Sequence, residues 1–125
     1  VFAMTTNARN TLVVFVMAGK KTEAETIART LVSEQLAACA NIVGPVRSIY
    51  RWRGAVEEAR EYLIMIKTRK ALYSTLERRV RELHSYDVPE ILALGPSTGS
   101  ASYLDWILDS TIGADSLRRR TARQT

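Results

Sequence analysis

Two extended stretches joined by a tight break constrain this chain more than anything else in it. Ala40 to Arg53 and Glu61 to Thr68 are rich in β-branched and aromatic residues, and Trp52-Arg53-Gly54-Ala55 lies after the first of them. Such runs around a glycine-containing turn predict a long β-hairpin, with Gly44-Pro45 interrupting its first arm. The segments on either side supply what the hairpin packs against. Thr11 to Met17 (Thr-Leu-Val-Val-Phe-Val-Met) has the composition of a buried strand, and Gly19-Lys20-Lys21 ends it. Thr22-Glu23-Ala24-Glu25 has the Thr-x-x-Glu form of a capping box and predicts a helix start. Ala24, Ile27, Ala28, Leu31 and Val32 then recur at helical spacing as far as Leu36, with Glu23, Arg29 and Glu34 expected to face water.

A second helix is expected from Lys70 to Leu83, with Leu72, Leu76, Val80 and Leu83 on its apolar face and Glu77, Arg78, Arg81 and Glu82 on a solvated one. Val88 to Leu94 reads as a fourth strand. Ser100 is placed to cap a short helix holding Tyr103, Leu104, Trp106, Ile107 and Leu108. The order β-α-β-β-α-β plus a terminal helix is the split βαβ arrangement of ferredoxin-like domains, of the α+β class. Helices would cover one face of an antiparallel sheet. The other face, with Val46, Ile49, Tyr50, Trp52, Leu63 and Met65, is too apolar to be left to water, and self-association is the simplest partner for it.

Length and charge narrow the classes of function. A chain of 125 residues with 46% hydrophobic and 25% charged residues is an ordinary globular domain, expected over 11–112. Residues 1–10 read as an N-terminal extension in which Met4 is the natural start and Val1 to Ala3 are an expression remnant. Residues 113–125 read as a basic, disordered tail with Arg118, Arg119, Arg120 and Arg123. The net charge of +5 belongs mostly to that tail, because Thr11 to Ile112 holds 13 Lys and Arg against 12 Asp and Glu. A nucleic-acid partner is therefore not expected, and the strand from Tyr62 to Thr68 has a single aromatic and no Gly-Phe pattern of an RNA-binding sheet. No apolar run approaches the ~20 residues of a membrane span, so no membrane partner is expected either. The absence of a signal-peptide pattern points to the cytoplasm. Cys39 is the only cysteine, which excludes an intrachain disulfide, and its setting among Leu36, Ala37, Ala38 and Ala40 is that of a small buried hydrophobe.

The chemistry is concentrated in His84-Ser85-Tyr86-Asp87-Val88-Pro89-Glu90. The only histidine, a phenol and two carboxylates fall within seven residues, where helix gives way to strand. Pro89 stiffens the turn and pushes Val88 towards extended geometry, so the segment could build a small site for a cation or a polar ligand. The structural alternative is a turn that closes a helix and opens an edge strand. No catalytic set is visible: Cys39 and His84 give no sign of meeting, and Gly19-Lys20-Lys21-Thr22 lacks the spacing of a phosphate loop.

Five segments in order carry a resemblance. They are Leu31 to Val43 (with Ala37-Ala38-Cys39), Ser48-Ile49-Tyr50-Arg51-Trp52-Arg53-Gly54, Ile66-Lys67-Thr68-Arg69, His84 to Glu90 and Tyr103-Leu104-Asp105-Trp106. Together they resemble the CutA family of divalent-cation tolerance proteins over roughly Thr11 to Thr111. The resemblance implies a cytoplasmic homotrimer of ferredoxin-like subunits with PII-like architecture, clefts between subunits, copper or another divalent ion as ligand, and a role in response to metal ions without catalysis. It implies His84, Cys39, Met17 and Glu90 as metal candidates, Trp52, Lys67, Tyr86 and Asp87 as cleft residues, and Tyr50, Trp52 and Trp106 at the trimer interface. Members with the fuller metal set carry a cysteine where Met17 stands and a second histidine where Leu83 stands. Arg53 also replaces a commonly acidic residue. The alternative from the same residues is a PII-like small-molecule sensor, or a scaffold for a partner protein. In a purely structural account Tyr50 and Trp52 are anchors, Lys67 pairs with Glu90, and Tyr86 bonds to backbone.

Overall fold

The computed structural model describes residues 7–113 together with Ser116 and Arg119. Strand β1 (Thr11–Ala18) is followed by helix α1 (Lys21–Ser33), the long strands β2 (Cys39–Trp52) and β3 (Ala55–Arg69), a 3-10 turn (Lys70–Leu72), α2 (Tyr73–Leu83), β4 (Ile91–Leu94) and α3 (Ala101–Asp109). The strands form one antiparallel sheet in the order β2-β3-β1-β4. This is the expected α+β, ferredoxin-like order with an added C-terminal helix. The expected disordered tail lies outside the described residues except at Gly113, Ser116 and Arg119, and the extension is described only from Asn7. No helix among the described residues is long and apolar enough to cross a membrane.

Alternation along the strands decides which side is core. Val14, Val16, Ala18, Ile64 and Ile66 point to one face and are fully buried under Ala24, Ile27, Ala28, Leu31, Leu76 and Val80 of α1 and α2. Arg79 on α2 makes a forked contact to the Glu34 carboxylate just past α1, at 2.9 to 3.2 Å, and fixes the two helices side by side. Helix α3 packs against β3 and β1, capped as expected by the Ser100 hydroxyl, which accepts from the Tyr103 amide at 3.3 Å.

Four boundaries differ from the sequence expectation. Helix α1 starts at Lys21 with Lys20 as its N-cap and no side-chain cap bond. Thr22 is inside the helix, where its carbonyl accepts from the Thr26 hydroxyl at 3.0 Å, so the capping box does not form. The helix stops at Ser33 instead of near Leu36, because Gln35 takes the left-handed conformation at φ 61 and Leu36 and Ala37 donate back to the Leu31 carbonyl. Strand β3 begins at Ala55, six residues before Glu61, and β4 begins at Ile91, three residues after Val88. The early part of β3 pairs with β2 through its backbone while nearly all its side chains face solvent, so no apolar alternation marks it.

One irregularity in the hairpin positions the site. Cys39, Asn41 and Val43 pair with Lys67, Met65 and Leu63, but beyond a bulge Val46 pairs with Glu61. Two residues, Gly44 and Pro45, there oppose the single Tyr62. A two-for-one bulge reverses which alternate residues of β2 point to which face. Val46, Ser48, Tyr50 and Trp52 consequently share the face opposite α1 and α2 with Glu61 and Met17. Without the bulge, both aromatics would be aimed at the opposite side.

Candidate functional site

Helix α2 ends at His84, whose amide still donates to the Val80 carbonyl at 2.9 Å while its backbone turns extended. The imidazole is buried and both its nitrogens are engaged. Nε2 lies 2.6 Å from the Met17 carbonyl oxygen, and Nδ1 accepts from the Tyr86 amide at 3.1 Å. An acceptor at Nδ1 has no proton there, so Nε2 carries the hydrogen and donates to Met17. His84 is thus a neutral clamp between the end of β1 and the 84–90 segment. The Ser85 amide adds a second tie by donating to the Glu23 carboxylate at 2.9 Å. Glu23, expected to face water, therefore turns inward, and its other oxygen is buried without a partner among the described residues.

The clamp swings Tyr86 across the end of the sheet. Its ring sits 4.8 Å from the His84 ring, and its hydroxyl donates to Glu61 Oε2 at 3.0 Å. Tyr86 therefore bonds to a carboxylate and not to backbone. Burial pushes its phenol up to about 12, helped by the hydrogen bond to Glu61 and by that residue's negative charge. It stays a donor at any physiological pH.

These groups enclose a cleft of about 410 Å³. Tyr50 and Trp52 come from the hairpin, Glu61 from β3 and Met17 from β1, while Tyr86, Asp87, Val88 and Glu90 come from the clamped segment. The surfaces are mostly aromatic and aliphatic, with three carboxylates among them. Six of the residues singled out in the sequence thus meet in one place: Met17, Tyr50, Trp52, Tyr86, Asp87 and Glu90. Glu61 was missed, although its alternation with Leu63, Met65 and Lys67 placed it on the face opposite the first two helices.

Other expected site residues lie elsewhere. Cys39 pairs with Lys67 across β2 and β3, four residues along β3 from Leu63, the partner of Met17. That is roughly 13 Å of strand from the cleft. Cys39 is half-buried and reaches the Asn41 side chain at 3.5 Å. Lys67 donates to the same Asn41 amide oxygen instead of pairing with Glu90. Trp106 is exposed on α3 and stacks on Tyr103 at 5.6 Å. Among the described residues no group of three His, Cys, Asp or Glu side chains converges as a metal cage.

The fold has close counterparts in known proteins. The model of the CutA1 divalent ion tolerance protein family matches residues 12–110. The chain belongs to this family. The divalent-cation tolerance protein CutA of Thermus thermophilus is 46% identical over 99 residues, 79% of this chain and 96% of that protein. The chloroplastic CutA 1 of Oryza sativa is 42% identical over 100 residues, 80% of this chain but 56% of its own length. The chain thus spans nearly all of the bacterial relative and about half of the plant one. Among solved structures, the Thermus CutA1 superposes with a TM-score of 0.80 at 45% identity, covering 82% of this chain and 99% of that one. The Oryza CutA1 superposes at 0.82 and 39% identity, covering 86% and 99%.

Proposed function

We propose that this CutA-family chain is a cytoplasmic, homotrimeric binding protein of the response to divalent metal ions, not an enzyme, whose ligand enters the cleft between the hairpin and the 84–90 segment. The observation that carries this reading is the cleft itself, which brings hairpin aromatics, Met17 and the acidic turn residues together. Its dimensions and mostly apolar lining are those of small-ligand sites, typically ~300–1,000 Å³.

The trimer is supported by the apolar part of the sheet face opposite α1 and α2 that α3 leaves open. Val43, Tyr50, Trp52, Leu92 and Leu94 are all exposed, and the strand register puts them on that face. A patch of large apolar side chains of this kind is buried by self-association at low cost. Trp106 on α3 is a further exposed aromatic available to such contacts. In this reading the cleft lies where subunits meet.

Copper is the metal to test first. Met17 offers a soft thioether and Glu90 and Asp87 offer oxygens, a mixed set that suits copper when further donors complete it. The fit within one subunit is partial, because among the described residues no three strong donors converge. A second subunit has to supply the remainder. His84 acts here by positioning Met17 and Tyr86, since both ring nitrogens are engaged. The same engagement favours a second reading, a PII-like sensor of a small organic molecule or a scaffold for a partner protein that binds no metal. Equilibrium dialysis against copper separates the two. The metal reading expects uptake by the wild type and its loss in Glu90→Gln combined with Met17→Leu. Unchanged uptake in that double variant would remove copper from the cleft.

A further inference from the structure

We propose that the cleft takes an organic cation, an alkylammonium or guanidinium group seated against Tyr50, Trp52 and Tyr86 and paired with Glu61. The inference rests on the second reading above, in which the cleft takes a small organic molecule, and names the chemical class of that molecule. Glu61, Asp87 and Glu90 line the cleft, and no Lys, Arg or His side chain lines it among the described residues. Glu61 is only 8% exposed. Its Oε2 accepts from Tyr86, while Oε1 has no hydrogen-bond or ion-pair partner among the described residues. Glu61 thus keeps one carboxylate oxygen free, and a cation brought into the cleft can pair with it.

The distribution of charge selects the kind of cation. A compact metal ion needs several donors aimed at one point, and among the described residues no three such groups converge. Three carboxylates and three aromatic rings instead line the same cleft. That arrangement suits a large, weakly hydrated cation, which gains from ring faces as well as from carboxylates. Trp52 already attracts such a group, since the Arg53 guanidinium carbon lies 5.5 Å from its ring centroid. Arg53 is not among the residues lining the cleft, so the cleft's own aromatic surface is open to a second cation.

The test is an amide and indole NMR titration of the full chain with tetramethylammonium, with tert-butanol as a neutral molecule of similar shape. Saturable shifts at the Trp52 indole and over residues 84–90 are expected with the cation and not with the alcohol. Glu61→Gln should weaken the cation's affinity by about tenfold or more, as truncation of a charge partner does. Glu90→Gln, which leaves the Tyr86–Glu61 bond intact, should weaken it less but in the same direction. Equal responses to cation and alcohol, or no saturable response to either, would overturn the proposal. Copper titrated into the same samples distinguishes the failures. A trimer that takes up copper but ignores tetramethylammonium overturns the organic-cation class alone. A monomer that ignores both overturns the reading of the cleft as well.

Discussion

Replacing Tyr86 with phenylalanine removes one oxygen from the cleft and isolates the bond on which its geometry depends. In the wild type that hydroxyl donates to Glu61 Oε2 at 3.0 Å. Glu61 is 8% exposed and Tyr86 40%, so one partner is dry and the other partly wet. A hydrogen bond to a charged group contributes roughly 1.5–3 kcal/mol net, and the exposure of Tyr86 moves the expected loss to about 1–2 kcal/mol. Urea unfolding at a single protein concentration is the assay, because self-association makes apparent stability concentration-dependent. The pH dependence gives an independent check. Burial and Glu61 raise the Tyr86 phenol from its ordinary 10.0 to about 12, so the folded state holds this proton more tightly than the unfolded one. The contribution is complete below pH 10 and is lost as pH rises from there through about 12. The stability gap between wild type and Tyr86→Phe should therefore close over that window. A variant within about 0.3 kcal/mol of wild type and parallel to it across the alkaline range would show that the bond does not form in solution.

Gly19→Ala should disturb the same bond from the opposite side, because its Cβ would lie 2.7 Å from the Tyr86 hydroxyl oxygen and the ring must swing away. Ligand titration of that variant should show weakened binding in the cleft at nearly unchanged helix content. Leu76→Ala empties a fully buried position between α2 and the sheet and should cost about 2–5 kcal/mol in urea unfolding. Ser100→Ala removes the acceptor of the Tyr103 amide and should cost about 1 kcal/mol by the same assay. Trp52→Ser should weaken assembly, seen as a shift to smaller species on dilution in analytical ultracentrifugation, since buried aromatic anchors dominate interfaces.

Much of this fold was legible because the signals were local. β-branched runs marked β1 and the buried half of β3, a 3.6-residue apolar period marked α1 and α2, and Ser100 marked the start of α3. The front half of β3 was not legible. Ala55 to Arg60 has no buried face to impose alternation, and its strand geometry comes from backbone pairing with β2. The capping box misled because Thr22 and Glu25 carry the right residue types, yet Lys20 already opens the helix. In the cleft, the turn residues Tyr86, Asp87 and Glu90 stood out because unlike polar groups crowd a short segment. Glu23 gave no such sign: its partner, the Ser85 amide, is 62 residues away, and only the fold brings the two together. Glu61 had a weak sign in strand parity. Its meeting with Tyr50 and Trp52 depends on the bulge at Val43 and Val46, which Gly44-Pro45 marked only as an interruption.

The central claim is that subunits assemble through the apolar sheet face opposite α1 and α2 and present ligand clefts at their junctions. Native mass spectrometry of the intact protein, with copper and then tetramethylammonium titrated in, tests it most directly. A trimer that saturates with one ligand per subunit is the predicted result. A monomer that persists at micromolar concentration and binds neither ligand specifically would contradict it.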